Sequence, residues 1–202
     1  MLSLVVQACA PIIVKPPPEI KPRVGKMSID RPIDYETVEA WTDEIQELDR
    51  KNDIIIININ SGGGSVDAGY NFIDAMQKTK AIKVCVADRI AMSMAFVILQ
   101  ACDQKVMTRR GILMIHRPYI PGQAVLSRDE SEVLKALVKA MTDEMARTMK
   151  VSGKYIREKI SEGDWYINWE EALDVGAVDR VIWTQKELDA KPILGASDLA
   201  VQ

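Results

Sequence analysis

The stretch Asp53–Asn60, DIIIININ, is a run of isoleucines bounded by polar residues. β-branched side chains in a short unbroken run fit a strand buried on both faces and fit little else. The glycines of NINSGGGSV follow at once, and then VDAGYNFIDAMQ sets Ala68, Phe72, Ile73 and Met76 on one face of a helix. A second buried run, AIKVCVAD, comes next. Strand, glycine turn, helix, strand is the grammar of an α/β fold with a mostly parallel sheet, and the rest of the chain must be built around that unit.

The flanking segments agree with it. TVEAWTDEIQEL carries Val38, Trp41, Ile45 and Leu48 at spacings of three and four, the stripe of a helix. AMSMAFVILQA is apolar apart from Ser93, lacks strand alternation and reads as a buried helix. KVMTRRGILMIH predicts two short strands about the Arg110–Gly111 turn. From Ser127 to Lys150 the spacing predicts one long helix with Leu134, Leu137, Val138, Met141 and Met145 on a stripe and acids in its first turn. Such a helix is expected to project and to need a partner for its stripe. Ser152 is placed to cap a helix over KYIREKI, WEEALDVG is a helix stopped at Gly176, and AVDRVIW is a last strand.

Both ends behave differently. KPPPEIKP, Lys15–Pro22, cannot be helix or central strand and predicts an extended connector. The preceding Met1–Val14 is apolar, but it is shorter than the roughly 20 residues that span a bilayer and has no basic front. It predicts a packing strand or flap, with neither signal peptide nor membrane span. The tail after residue 186 shows no packing period. The domain reading is therefore an N-terminal segment and connector over 1–22, a main domain over 23–186 with its long-helix arm at about 117–150, and a tail over 187–202. The formal charge of −3, with no run of lysines and arginines, excludes a nucleic-acid footprint. Three cysteines without a C-x-x-C pair and a single histidine predict neither a disulfide framework nor a metal site.

Three features carry chemistry. The glycine loop fits neither nucleotide fingerprint, since no lysine–serine ending and no G-x-G-x-x-G follow; its amides suit an oxyanion. Ser93 sits where a strand turns into a helix, as a cap or as a nucleophile. A serine nucleophile needs a base, and with one histidine that base must be His116. For the orienting acid the residues leave Asp103, Asp129, Asp164, Asp174 and Asp179 all open.

NINSGGGSVDAGYNFIDAMQ, ADRIAMSMAFVILQA, LMIHRP and GDWYINWEEALDVGAVDRVI, in that order over about Ile54–Val181, resemble the successive signatures of the Clp protease proteolytic subunit, a serine peptidase family. The resemblance implies the ClpP/crotonase-like ββα superhelix with a projecting handle helix. It implies Ser93 as nucleophile, His116 as general base and Asp164 as the acid, with the Gly64 and Met94 amides as oxyanion hole. It further implies that Gly63, Ser65 and Val66 after the glycine loop, and Gly122, Gln123 and Ala124 in PGQAV, pair with an extended polypeptide substrate. No cofactor and no metal are implied. The expected assembly is a heptameric ring stacked as a tetradecamer, in the cytoplasm, with an AAA+ unfoldase as possible partner and without nucleic acid or membrane.

Departures from the family pattern bear on ring assembly and on that last partner. Gly163 stands where an arginine commonly precedes the acid, and the start is proline-rich. Asn58, Lys78 and Asp88 fall at positions that usually help line the apolar cleft in which unfoldase loops dock, and polar groups there weaken docking. A divergent member follows as an expectation, including a virus-encoded protease of the head-maturation kind that needs no unfoldase, acting in the host cytoplasm. The competing classes are a signal-peptide-peptidase relative with a serine–lysine pair, a crotonase acting on thioesters, and a ring-forming homologue without activity.

Overall fold

The computed structural model describes residues 21–119, 127–184 and 187. In chain order the elements are β1 (Val24–Ile29), α1 (Tyr35–Asp49), β2 (Ile54–Ser61), α2 (Val66–Lys78), β3 (Ile82–Met92), α3 (Met94–Gln100), β4 (Gln104–Thr108), β5 (Ile112–Ile115), α4 (Arg128–Met145), α5 (Gly153–Ser161), β6 (Trp165–Ile167), α6 (Trp169–Asp174) and β7 (Arg180–Ile182). The sheet runs β1-β2-β3-β4-β7, all parallel, as the alternating strands and helices require.

β3 is the organising strand. Its first half, Val84–Ala87, pairs with β4, and its second half, Ile90–Met92, pairs with β5. The sheet therefore splays at Asp88–Arg89, and β5 carries a second branch on which β6 pairs antiparallel. β2 follows the bend through a register shift between Ile59 and Ser61. Because side chains alternate along a strand, the two faces of the sheet hold separate apolar sets. Ile55, Ile57, Cys85, Ala87 and Met107 join Trp41, Phe72 and all of α3 from Met94 to Leu99 in the main core. Ile54, Ile56, Val84, Val86, Val106 and Ile182 form a smaller cluster on the other face. Asn58, opposite Val86, and Asp88 continue that second face toward the C-terminal ends of the strands.

Several expectations change. β1 is a strand that its polar alternation, VGKMSI, conceals, and β6 is too short to show a period. The long helix ends at Met145, short of Lys150, because the chain beyond it is claimed by the rest of the molecule. The buried Lys105 ammonium binds the Thr148 carbonyl at 2.6 Å and the Gly176 carbonyl at 3.2 Å, and the Lys150 amide donates to Val175 O at 2.8 Å. Burial pulls the Lys105 pKa below the usual lysine value. The stripe on α4 is not left without a partner either: Val138, Met141 and Met145 pack into this chain's own core, while Val133 stays exposed.

The cysteine expectation is overturned. Cys85 of β3 and Cys102, just past α3, form a disulfide with Cα atoms 5.9 Å apart, within the normal span for such a bond. The two lie 17 residues apart in sequence but side by side in space, which spacing alone could not reveal. The disulfide loop encloses Ser93.

Candidate active site

Ser93 follows β3 directly and opens α3. It has φ 53° and ψ −124°, the only positive φ of a non-glycine residue among the described residues. A side-chain-bearing residue adopts such torsions at a cost of about 1–3 kcal/mol and only where its surroundings hold it there. Here they do: the Ser93 amide donates to Met114 O at 2.8 Å, and its carbonyl accepts from the Phe96 and Val97 amides at 3.0 and 3.3 Å. The hydroxyl makes no cap bond to α3, although it occupies the cap position. It points instead at His116, with Nε2 2.8 Å from Oγ.

That contact is a product of register. Met92 pairs with Met114 in the parallel β3–β5 ladder, so Ser93 emerges beside the strand that ends one residue before His116. Leu113 and Ile115 are buried in the core, so His116 shares the other face with Met114, toward the cleft. Tyr119 lies against the imidazole, ring centroids 5.9 Å apart.

The acids sort themselves by position. Asp103 binds the Lys83 amide at 2.7 Å and its ammonium at 3.0 Å, and Asp179 accepts from the Lys105 amide at 2.7 Å. Both sit at the strands' N-terminal ends, away from Ser93. Asp129 lies in the first turn of α4, and Asp174 ends α6. Asp164 is different. Ile115 pairs with Trp165 in the antiparallel β5–β6 ladder, and the same register carried one step on sets Asp164 across from His116. Its carboxylate is exposed and, among the described residues, makes no hydrogen bond or ion pair; none reaches His116 Nδ1 either.

The glycine loop presses on Ser93 from the other side. Gly63 has φ +97°, and a Cβ there would lie 2.7 Å from both Met92 O and Ser93 Cβ. Gly64 forms a parallel bridge with Ile33: the Ile33 amide donates to Gly63 O at 3.0 Å, and the Ser65 amide donates to Ile33 O at 2.7 Å. In a parallel bridge the central residue's own amide faces away, so the Gly64 N–H points away from Ile33. Met94, the first residue of α3, likewise has an amide with no intrahelical acceptor. Ser65 caps α2, its Oγ accepting from Ala68 N at 3.3 Å, and Val66 begins that helix.

These groups border one cleft of about 820 Å³, of a size that takes a short length of polypeptide. Its far wall is Leu134, Leu137 and Met141 of α4. Their three- and four-residue spacing marks these residues in the sequence as a helix stripe and carries no sign of a site. Ile33 as anchor of the glycine loop carried no sequence signal at all. Gly122, Gln123 and Ala124 lie outside the described residues. Among the described residues no cluster of histidine, cysteine or carboxylates could hold a metal ion, and no helix is long and apolar enough to cross a membrane.

A parallel sheet that splays along one strand to carry a serine–histidine pair defines a ClpP-like α/β fold. A ClpP1 mutant from Listeria monocytogenes shares that fold with TM-score 0.72 at 22% identity, over 80% of this chain and 92% of the other. The Clp protease family model matches residues 22–185, and the chain belongs to that family. It is 32% identical over 133 residues to the ATP-dependent Clp protease proteolytic subunit 3 of Parasynechococcus marenigrum, covering 63% of this chain and 66% of the relative. It is also 32% identical over 138 residues to the ATP-dependent Clp protease proteolytic subunit of Porphyromonas gingivalis, covering 63% of this chain and 59% of the relative. The matches thus span about two thirds or less of the curated relatives' length.

Proposed function

We propose that the chain is a serine endopeptidase that cleaves extended polypeptides inside a ring of its own copies. The observation that carries this reading is the 2.8 Å contact between His116 Nε2 and a Ser93 Oγ freed from capping. His116 Nε2 takes the hydroxyl proton as Oγ attacks the scissile carbonyl carbon. The amides of Gly64 and Met94 receive the oxyanion, the C–N bond breaks, and the proton passes from His116 to the leaving amine. Water, deprotonated by the same imidazole, then hydrolyses the acyl-enzyme.

Asp164 is the acid of this proposal. A carboxylate that turns in to accept from Nδ1–H fixes the tautomer in which Nε2 is the base. Its register position supports that role. Its exposure supports a second reading, a homologue that assembles but is silent until the carboxylate moves. The polar Asn58 and Asp88 favour a member that works without an unfoldase.

Exposure of the purified protein to a fluorophosphonate probe, with intact mass and site mapping, decides between the readings. Labelling at Ser93, and its loss together with peptide cleavage in Ser93→Ala and His116→Ala, is the expected result. Each substitution should lower kcat by about 10⁴-fold or more. Unlabelled wild type supports the silent homologue, and either variant retaining near wild-type cleavage removes the residue from the mechanism.

A further inference from the structure

The apolar wall of the cleft says nothing about charge, but its rim does. Among the described residues that line the cleft, Asp67 is the only carboxylate and no lysine or arginine is present. Asp67 stands in the first turn of α2, two residues after Ser65 and next to Val66. Its carboxylate is exposed, so a substrate can reach it.

The carboxylate is also held. The Tyr35 hydroxyl, at the start of α1, donates to Asp67 Oδ2 at 3.1 Å. That hydrogen bond and the adjacent negative charge raise the Tyr35 pKa above its ordinary value. One oxygen is thereby occupied by a neutral donor that leaves the charge uncompensated. Among the described residues no cation pairs with Asp67, unlike Asp53, Asp103 and Asp143, each of which has an arginine or lysine.

We propose that Asp67 selects polypeptides carrying a lysine or arginine side chain close to the scissile bond. The proposal rests on the protease reading above. An extended substrate presents side chains alternately to either side, so one can enter the apolar wall of α4 while a neighbour faces the rim at α2. A basic side chain there meets a positioned carboxylate, and an acidic one meets a like charge. For a solvent-accessible pair the expected preference is modest, about fivefold in kcat/KM for lysine over glutamine at the best position.

The test uses the full-length protein and quenched peptides in which lysine, glutamine or glutamate is walked through the positions flanking one cleavable bond. The readout is the lysine-to-glutamate ratio of kcat/KM within each variant, which is insensitive to a general loss of activity. The wild type should show a ratio well above one, Asp67→Asn a ratio near one, and Asp67→Lys a ratio below one. A ratio that is the same in wild type and Asp67→Asn overturns the proposal while leaving the protease reading intact. Absence of any Ser93-dependent cleavage overturns both.

Discussion

A single side chain added at Gly63 would strike the backbone on which Ser93 is held. A Cβ there falls 2.7 Å from Met92 O and 3.0 Å from Met94 N, atoms that cannot give way without moving Ser93, and the φ of +97° is strained for any other residue. Gly63→Ala is therefore expected to lower kcat by at least about 100-fold, since misplacement of the order of 1 Å in a reacting group is enough for that. Gly62 is the control for folding: nothing lies within 4 Å of its would-be Cβ, so Gly62→Ala should change stability by no more than about 0.5 kcal/mol in denaturant unfolding. A Gly63→Ala variant with unimpaired turnover would show that the loop does not set the position of Ser93. At this scale the sequence was legible where chemistry is scarce. With one histidine in the chain, His116 was the one candidate to face Ser93, as it does, and the glycine loop was visible as a motif. Asp164 was not separable from four other aspartates by residue type, because what sets it across from His116 is a strand register.

The elements explain which parts were hidden. Long, strongly apolar runs such as β2 and β3 declare themselves, whereas β1 alternates lysine and serine with its buried residues and β6 contains three residues. The C-terminal end of α4 follows its helical pattern until Lys105, more than forty residues earlier in the chain, takes the Thr148 carbonyl. The disulfide is likewise a long-range fact. It ties the strand that delivers Ser93 to the end of the helix that Ser93 opens. Closing a loop of this size removes unfolded-state freedom worth about 3 kcal/mol, so chemical unfolding under reducing conditions should show a midpoint lower by that amount divided by the m-value. Intact mass with and without alkylation after denaturation reports the bond directly. Coincident unfolding curves for oxidised and reduced protein would deny it a stabilising role.

The whole molecule offers two sheet faces of different kinds. The helices gather on the larger core, while the second face holds a smaller apolar cluster that passes into Asn58 and Asp88. The parallel order and the α/β class were readable from the succession of runs alone; the splay at β3 was not, because a strand that changes partner halfway along has no different sequence period. The proposed function places the cleft inside an assembled form, in which a chamber would limit substrates to extended chains. Sedimentation of the native protein should give a species many times the 22.6 kDa of one chain, with seven or fourteen copies expected. A monomer that cleaves peptides at full rate would rule out the ring as a condition of activity.

The Cys85–Cys102 bond also governs how Ser93 is seen by mass spectrometry. Trypsin cuts after Lys83, Arg89 and Lys105, so the fragment bearing Ser93 is Ile90–Lys105, which contains Cys102. In an unreduced digest that fragment stays joined to Val84–Arg89 through Cys85. A labelled serine would then travel in a branched peptide that a search for linear fragments passes over, and an active protein would be recorded as unreactive unless the digest is reduced first.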